Sequence, residues 1–122
     1  MTNVIQSGVA IESEFDGVPL ADLIFESIDW NERREHVETR AERKGTDEFE
    51  PKVEWATEAC QDDRRLVGRT TSAVYVIGFS QSCGRLLRVV LQPCGHASEG
   101  DWIGLTAHAA PAWARKRYEE EQ

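Results

Sequence analysis

Two side chains in the second half of the sequence have the types and positions needed for chemistry. Arg88 interrupts an otherwise apolar run at residues 86–90, and a charge in such a run needs a partner or water. His108 ends another short run, and the ordinary pKa of imidazole, near neutrality, suits it to accept or donate a proton. Cleaving RNA through its own 2′-hydroxyl requires a base, an acid and cationic donors for the transition state. A histidine and an arginine are the right types for that task.

Alternation along residues 102–108 predicts which side chains accompany His108. Successive side chains of a strand point to opposite faces of the sheet. One set contains Trp102, Gly104, Thr106 and His108, and the other contains Ile103, Leu105 and Ala107. The second set is the more apolar, so we expect it to face the core and the first set to face outward. Trp102 would then share the open face with His108, where its ring could stack on a base.

A meander of three or four antiparallel strands is predicted between residues 64 and 108. The apolar runs there are short and are bounded by Gly, Ser or Pro, which is typical of strands joined by turns. The connectors are too short for the crossovers of a parallel sheet. The residues expected to be buried on its helix-covered face are Ile77, Leu87, Val89, Ile103 and Leu105. Further strands are predicted at residues 8–11 and 24–30.

Helices are predicted on both sides of the meander. Residues 31–44 contain neither Gly nor Pro, and Gly45 then suits the end of a helix. Pro51 suits the first turn of a second helix, which apolar residues at helical spacing extend to about residue 61. Pro111 likewise precedes a short third helix.

The length and composition fit one α+β domain spanning residues 1–122, with residues 1–23 an extra strand or a loose arm. No run approaches the roughly 18 apolar residues of a membrane span, and the first residues do not resemble a signal peptide. We therefore expect a cytoplasmic protein without membrane contact. The three cysteines, an odd number, indicate reduced thiols. Cys94 and His96 lack the paired spacing of a zinc site, so we expect neither metal nor cofactor.

Charge is distributed unevenly along the chain. The net charge is −8, which disfavours phosphate binding, but the acids concentrate in residues 12–63 and at the final glutamates. The basic residues after position 63 are Arg64, Arg65, Arg69, Arg85, Arg88, Arg115, Lys116 and Arg117. Two interpretations remain open: a solvated surface with ordinary ion pairs, or a functional basic face. In the second, Arg69 and Arg85 join Arg88 as candidates for binding phosphate.

Several short motifs follow one another in an informative order. They are Ile28-Asp29-Trp30, His36-Val37, Gly45, Pro51, Val67-Gly68-Arg69-Thr70, Gly84-Arg85-Leu86-Leu87-Arg88-Val89-Val90, and Leu105-Thr106-Ala107-His108-Ala109-Ala110 closing on Arg115-Lys116-Arg117-Tyr118-Glu119-Glu120. In this order the chain resembles the BrnT-type toxins, which belong to the RelE superfamily of toxin–antitoxin ribonucleases. The closing strand and helix are the most specific part of the resemblance. The family generally has arginine where this chain has His108.

The resemblance implies a RelE-like fold, with a bent antiparallel sheet, two N-terminal helices and a C-terminal helix. It also implies a metal-independent endoribonuclease, in which Tyr118 matches the C-terminal tyrosine of the superfamily and donates to the substrate. The expected catalytic set is then His108, Arg88 and Tyr118, and the expected substrate-binding set is Arg69, Arg85, Trp102, Arg115 and Arg117.

The partner that the resemblance implies is a small antitoxin with a DNA-binding domain of the ribbon-helix-helix or a similar type. Such an antitoxin would neutralise the chain and could join it into a higher-order complex. Two alternatives stay open. The chain could be a RelE-like scaffold that has lost catalysis and serves as a protein-interaction or regulatory module, or it could be an unrelated small α+β protein.

Overall fold

A five-stranded sheet forms the centre of the computed structural model, which describes residues 13–30, 33–38, 49 and 51–121. A small antiparallel hairpin, β1 (Glu14–Phe15) and β2 (Val18–Pro19), precedes the sheet. The strands of the sheet are β3 (Ser27–Asp29), β4 (Leu66–Arg69), β5 (Val74–Ser80), β6 (Arg85–Pro93) and β7 (Asp101–Ala109). Their spatial order is β3-β7-β6-β5-β4. The mixed α+β class that the sequence predicts is confirmed.

The four strands from β4 to β7 form an antiparallel meander, as predicted. The edge strand β3 differs, because it pairs with β7 in the parallel direction. The segment that joins β3 to β7 contains helix α1 (Arg34–Glu38) and three strands of the meander, so it is long enough for β7 to lie beside β3 in the same direction. The sheet is therefore mixed rather than wholly antiparallel.

Two helices follow β3, and a third ends the chain. Within the predicted helix at 31–44, positions 34–38 are helical, and most of the remainder, with Gly45, lies outside the described residues. Helix α2 (Val53–Cys60) begins two residues after Pro51, and α3 (Ala112–Glu120) begins directly after Pro111. The predicted strand at residues 8–11 also lies outside the described residues, whereas residues 14–19 form the β1–β2 hairpin.

Helices α1 and α2 cover one face of the sheet and form the main core with it. The buried side of α2 packs against buried valines and leucines of β5 and β6. Two glycines permit this close packing. A Cβ on Gly78 would lie 1.9 Å from the backbone oxygen of Ala59 in α2, and a Cβ on Gly104 would lie 2.4 Å from the ring of Trp30. A larger residue at either site would force the layers apart.

A β-bulge in β7 overturns part of the predicted pattern of burial. Leu91 pairs with Gly104 and Val90 with Thr106, so Leu105 is an extra residue that reverses the alternation of the faces. Before the bulge Trp102 faces the core and is 1% exposed, while Ile103 is 37% exposed. Beyond the bulge Ala107 is buried as predicted. The predictions that Ile103 is buried and that Trp102 lies on the open face are therefore wrong, and Leu105, at the bulge, is half-buried.

Helix α3 packs on the opposite face of the sheet and forms a second, smaller core. Its members are Ile77, Ala110, Ala114 and Tyr118, with Leu66, Tyr75 and Leu86 partly buried against them. The burial of Leu87 and Val89 under α1 and α2 is confirmed. Ile77 is also buried, but under α3, because it pairs with Arg88 and so faces away from Leu87 and Val89.

Candidate functional site

Arg88 and His108 are directly opposite each other on the face of the sheet that α3 shares. They form a cross-strand pair between β6 and β7, and both are half-buried. A guanidinium nitrogen of Arg88, Nη1, lies 3.4 Å from Nε2 of His108. The structure thus brings together the two side chains that the sequence indicated as candidates for chemistry, on the face predicted for His108.

The neighbours of His108 indicate how its ring is protonated. Its Nδ1 lies 2.9 Å from the carbonyl oxygen of Ala109. A carbonyl oxygen can only accept a hydrogen bond, so Nδ1 must carry a proton. In the neutral ring Nε2 is then the acceptor, and the guanidinium of Arg88, which can only donate, faces it. The backbone therefore orients His108 with its basic nitrogen towards Arg88.

Two aromatic residues continue this arrangement beyond Arg88. The guanidinium carbon of Arg88 lies 4.8 Å from the ring centre of Tyr75, a distance suited to a cation–π contact. The ring of Tyr75 meets that of Trp113 edge-on, at 6.1 Å between centres. Tyr75 also needs Gly68 beneath it, because a Cβ there would lie 2.2 Å from the tyrosine ring. We call His108, Arg88, Tyr75 and Trp113 the open-face patch.

Arg115 joins the edge of the open-face patch. Its Nη1 donates to the carbonyl oxygen of Ala110, 2.9 Å away, and the preceding carbonyl, of Ala109, is the one that faces His108. Arg115 is otherwise an exposed residue, so its positive charge is accessible to a ligand. Arg117, which was also expected to bind substrate, is exposed. Its Nη2 lies 3.7 Å from Oε2 of Glu121, the residue that follows the last residue of α3. Arg115 is thus the better placed of the two to add positive charge near His108.

The other arginines expected to bind phosphate have structural contacts instead. Three nitrogens of Arg69 donate to the carbonyl oxygens of Glu14, Thr70 and Thr71, and its guanidinium lies over the ring of Phe15. Arg69 therefore fastens the β1–β2 hairpin to β4. Arg85 lies over the ring of Phe49 at 4.3 Å, and its position in β6 places it on the opposite face from Arg88. Neither contributes to the open-face patch.

Trp102 also differs from its expected position. It is buried in the main core, its indole N–H donates to the carbonyl oxygen of Ile24, and its ring lies 5.0 Å from that of Phe25. Such a residue has no free ring face to offer to a base. The change of face at the Leu105 bulge is the physical reason.

Tyr118 docks α3 on the sheet. Its hydroxyl donates to Oδ2 of Asp62 at 2.6 Å, and the residue is 7% exposed. A phenol has one proton to donate, so this bond uses the donor that was expected to serve a substrate. Burial, and then the hydrogen bond to Asp62, raise the pKa of Tyr118 to about 12. The structure places Tyr118 in a helix-docking contact rather than in the open-face patch.

Asp62 is the acceptor at the centre of that contact. Its carboxylate also accepts the backbone N–H groups of Arg64 and Phe79, at 3.0 and 2.9 Å. Partial burial would raise the pKa of Asp62, but the hydrogen bonds from Tyr118, Arg64 and Phe79 outweigh it, so the pKa is lowered. The carboxylate is thus held ionised at the junction of α2, β5 and α3.

The cysteines are free thiols in three different environments. Cys60 is buried in α2, Cys83 is half-buried, and Cys94 is exposed. Burial raises the pKa of the Cys60 thiol. Within the part of the chain that the structure describes, no group of three or more His, Cys, Asp and Glu side chains is placed to hold a metal ion.

Three residues of these contacts were not indicated by the sequence: Tyr75, Trp113 and Asp62. Because side chains alternate along β5, Tyr75 points to the other face of the sheet from its neighbours Val74 and Val76, which are buried in the main core. This alternation could have indicated that Tyr75 shares a face with Arg88. Trp113 is 48% exposed, whereas tryptophan is on average a highly buried residue. Asp62 could not be found from the sequence as the acceptor for Tyr118, because Tyr118 and Phe79 come from distant parts of the chain and only Arg64 is a local partner.

The chain was compared with models of protein families, with curated proteins and with solved structures, and none of the three comparisons gives a match. Among the described residues, no helix combines the length and the apolar character needed to cross a membrane.

Proposed function

We propose that the chain is an RNA-cleaving protein that acts as the toxin of a toxin–antitoxin pair. The observation that carries the proposal is the contact between Arg88 and His108 on the open face of the sheet. It combines a histidine of defined tautomer with a permanently charged donor, and these are two of the groups that cleavage through the 2′-hydroxyl requires.

The proposed chemistry begins when Arg88 exchanges its contact with His108 for a hydrogen bond to a phosphate of the RNA. A phosphate oxygen is a stronger acceptor for a guanidinium than a neutral imidazole nitrogen. Arg88 would therefore turn its donor to the phosphate and release Nε2 of His108 from their shared contact. Nε2 then takes the proton of the 2′-hydroxyl as that oxygen attacks phosphorus and forms the 2′,3′-cyclic phosphate. The bond from phosphorus to the 5′-oxygen of the next nucleotide breaks, and that oxygen takes a proton from water and leaves as a hydroxyl. Arg88, with Arg115 near it, stabilises the charge that develops on the phosphoryl oxygens.

Growth provides the first test of this proposal. Expression of the chain without a partner should arrest growth, and His108→Ala or Arg88→Ala should relieve the arrest. Arg85→Ala is the matched control, because it removes an arginine from the same strand but from the opposite face. Relief by the Arg85 variant as well, or by neither of the other two, would contradict the assignment. Unfolding midpoints of all variants would exclude a loss of fold as the cause.

A second candidate function is a protein-interaction module without catalysis. It is favoured by the structural contacts of Tyr118, Arg69 and Trp102, which remove three side chains from the expected substrate site. In this case the chain would neither arrest growth nor cleave RNA. It would still co-purify with a small DNA-binding antitoxin, of the ribbon-helix-helix or a similar type.

A further inference from the structure

We infer that Trp113 is a stacking site for one unpaired base of a single-stranded RNA whose neighbouring phosphate binds Arg88. The inference rests on the proposed function, since it assigns a subsite to the same face. It adds a residue that contributes to recognition, and it restricts the substrate to RNA in which at least one base is free to leave its stack.

Exposure is the first observation behind this inference. Trp113 is 48% exposed, the largest fraction among the exposed large apolar side chains of the described residues. Its ring contact is edge-on, with Tyr75, and the two ring planes are at 90°. An edge-on contact does not occupy both faces of the indole. About half of the surface of Trp113 is open to a ligand.

The other tryptophans do not offer such a face. Trp30 packs over Gly104 with its N–H bonded to Thr57, and Trp102 is buried. Trp55 is stacked on Phe49 with the two planes 9° apart, and the ammonium group of Lys52 lies 5.8 Å from its ring centre. Trp55 therefore already has stacking and cationic contacts of kinds that Trp113 does not make with any other described residue.

The position of Trp113 relative to Arg88 suits a nucleotide. Tyr75 lies between the two residues. The centre of its ring is 4.8 Å from the guanidinium carbon of Arg88 and 6.1 Å from the centre of the Trp113 indole. The guanidinium and the indole centre are therefore at most about 11 Å apart. A base can reach the indole while its own or the adjacent phosphate contacts the arginine. Lys116, three residues along α3 and exposed, adds a cation on the same side of the helix.

Physical chemistry also explains why a base would bind here despite the net charge of −8. Stacking on an aromatic ring does not depend on charge and is tolerant of sequence, because every base has a π-face. The three exposed carboxylates after Tyr118 lie towards the opposite end of α3 from Trp113. Stacking on Trp113 can therefore contribute affinity for RNA that the few cations of this face, on a chain of net charge −8, do not supply.

The test uses two oligonucleotides of equal length that cannot be cleaved. One is a 2′-O-methyl oligoadenylate, and the other has the same phosphodiester backbone without bases. The wild-type chain should bind the first more tightly by about 5- to 150-fold, the range expected for stacking of one base. Trp113→Ala should bind the two equally, Trp113→Phe should fall between, and Trp55→Phe should match the wild type.

The possible outcomes separate the inference from the proposed function. If Trp113→Ala keeps the full preference for bases while the wild type cleaves RNA, the stacking site is wrong and the proposed function stands. If the preference depends on Trp113 but no RNA is cleaved, the stacking site stands and catalysis is wrong. If the wild type binds neither oligonucleotide, or binds both equally, the stacking site is wrong, and the cleavage of RNA alone decides the proposed function.

Discussion

The hydroxyl of Tyr118 offers a direct measurement of how α3 is held on the sheet. Replacing Tyr118 with Phe keeps the buried ring and removes the hydroxyl that donates to Asp62. A hydrogen bond to a charged group contributes about 1.5–3 kcal/mol to stability. Because Asp62 keeps two backbone donors after the change, we expect the lower part of that range.

The assay is urea unfolding of the wild type, Tyr118→Phe and Tyr75→Phe. Tyr75 is the only other tyrosine of the chain, and it is the matched control, because its contacts with Arg88 and Trp113 are made by the ring rather than by the hydroxyl. We expect the Tyr118 variant to lose about 1.5–2 kcal/mol. The Tyr75 variant should change by less than about 0.5 kcal/mol. Equal effects of the two substitutions would refute the docking role of Tyr118.

The difference in unfolding free energy between the wild type and Tyr118→Phe should also depend on pH in a defined direction. The pKa of Asp62 is lowered in the folded chain, so its contribution is present above the ordinary carboxyl pKa of 3.8 and is lost as the pH falls. The wild type and Tyr118→Phe should therefore converge in stability well below pH 3.8. A stability difference between the two chains that stays constant as the pH falls would contradict the stabilising role of the hydrogen bond from Tyr118 to Asp62.

Three further predictions concern the rest of the fold. Gly78→Ala should destabilise the chain by about 3 kcal/mol or more, because its Cβ would lie 1.9 Å from a backbone oxygen of α2; an unchanged urea midpoint would contradict that packing. In alkaline solution, stability should decline from pH 10 to about 12, since the pKa of Tyr118 is raised in the folded chain and its contribution is lost as the pH rises through it. A thiol reagent should modify Cys94 rapidly and Cys60 only on unfolding, which peptide mapping would show; equal rates for the two would contradict the burial of α2.

Local signals in the sequence predicted most of the elements. The apolar runs separated by short polar turns predicted the meander, and Pro51 and Pro111 predicted where α2 and α3 begin. These features act over a few residues, so a single sequence displays them. The mixed α+β class follows from the same information.

What could not be predicted depends on pairing between distant segments. The bulge at Leu105 is a property of how β6 and β7 align, and it changes the face of every residue before it in β7. Trp102 was therefore assigned to the wrong face, while His108, beyond the bulge, was assigned correctly. The contact of Tyr118 with Asp62 joins residues 56 positions apart, and nothing local marks it.

Cleavage of a single-stranded RNA by the purified chain, with a metal chelator present, tests the central claim most directly. We expect the wild type to produce 2′,3′-cyclic phosphate and 5′-hydroxyl ends, and a 2′-deoxy substitution at the cleaved position to prevent the reaction. Arg88→Gln should lose about 100- to 1,000-fold in rate, the range for removal of one charge-stabilising donor, and His108→Gln should also be impaired. Arg85→Gln should cleave like the wild type. No cleavage by the folded wild type, or undiminished cleavage by the His108 and Arg88 variants, would contradict the account.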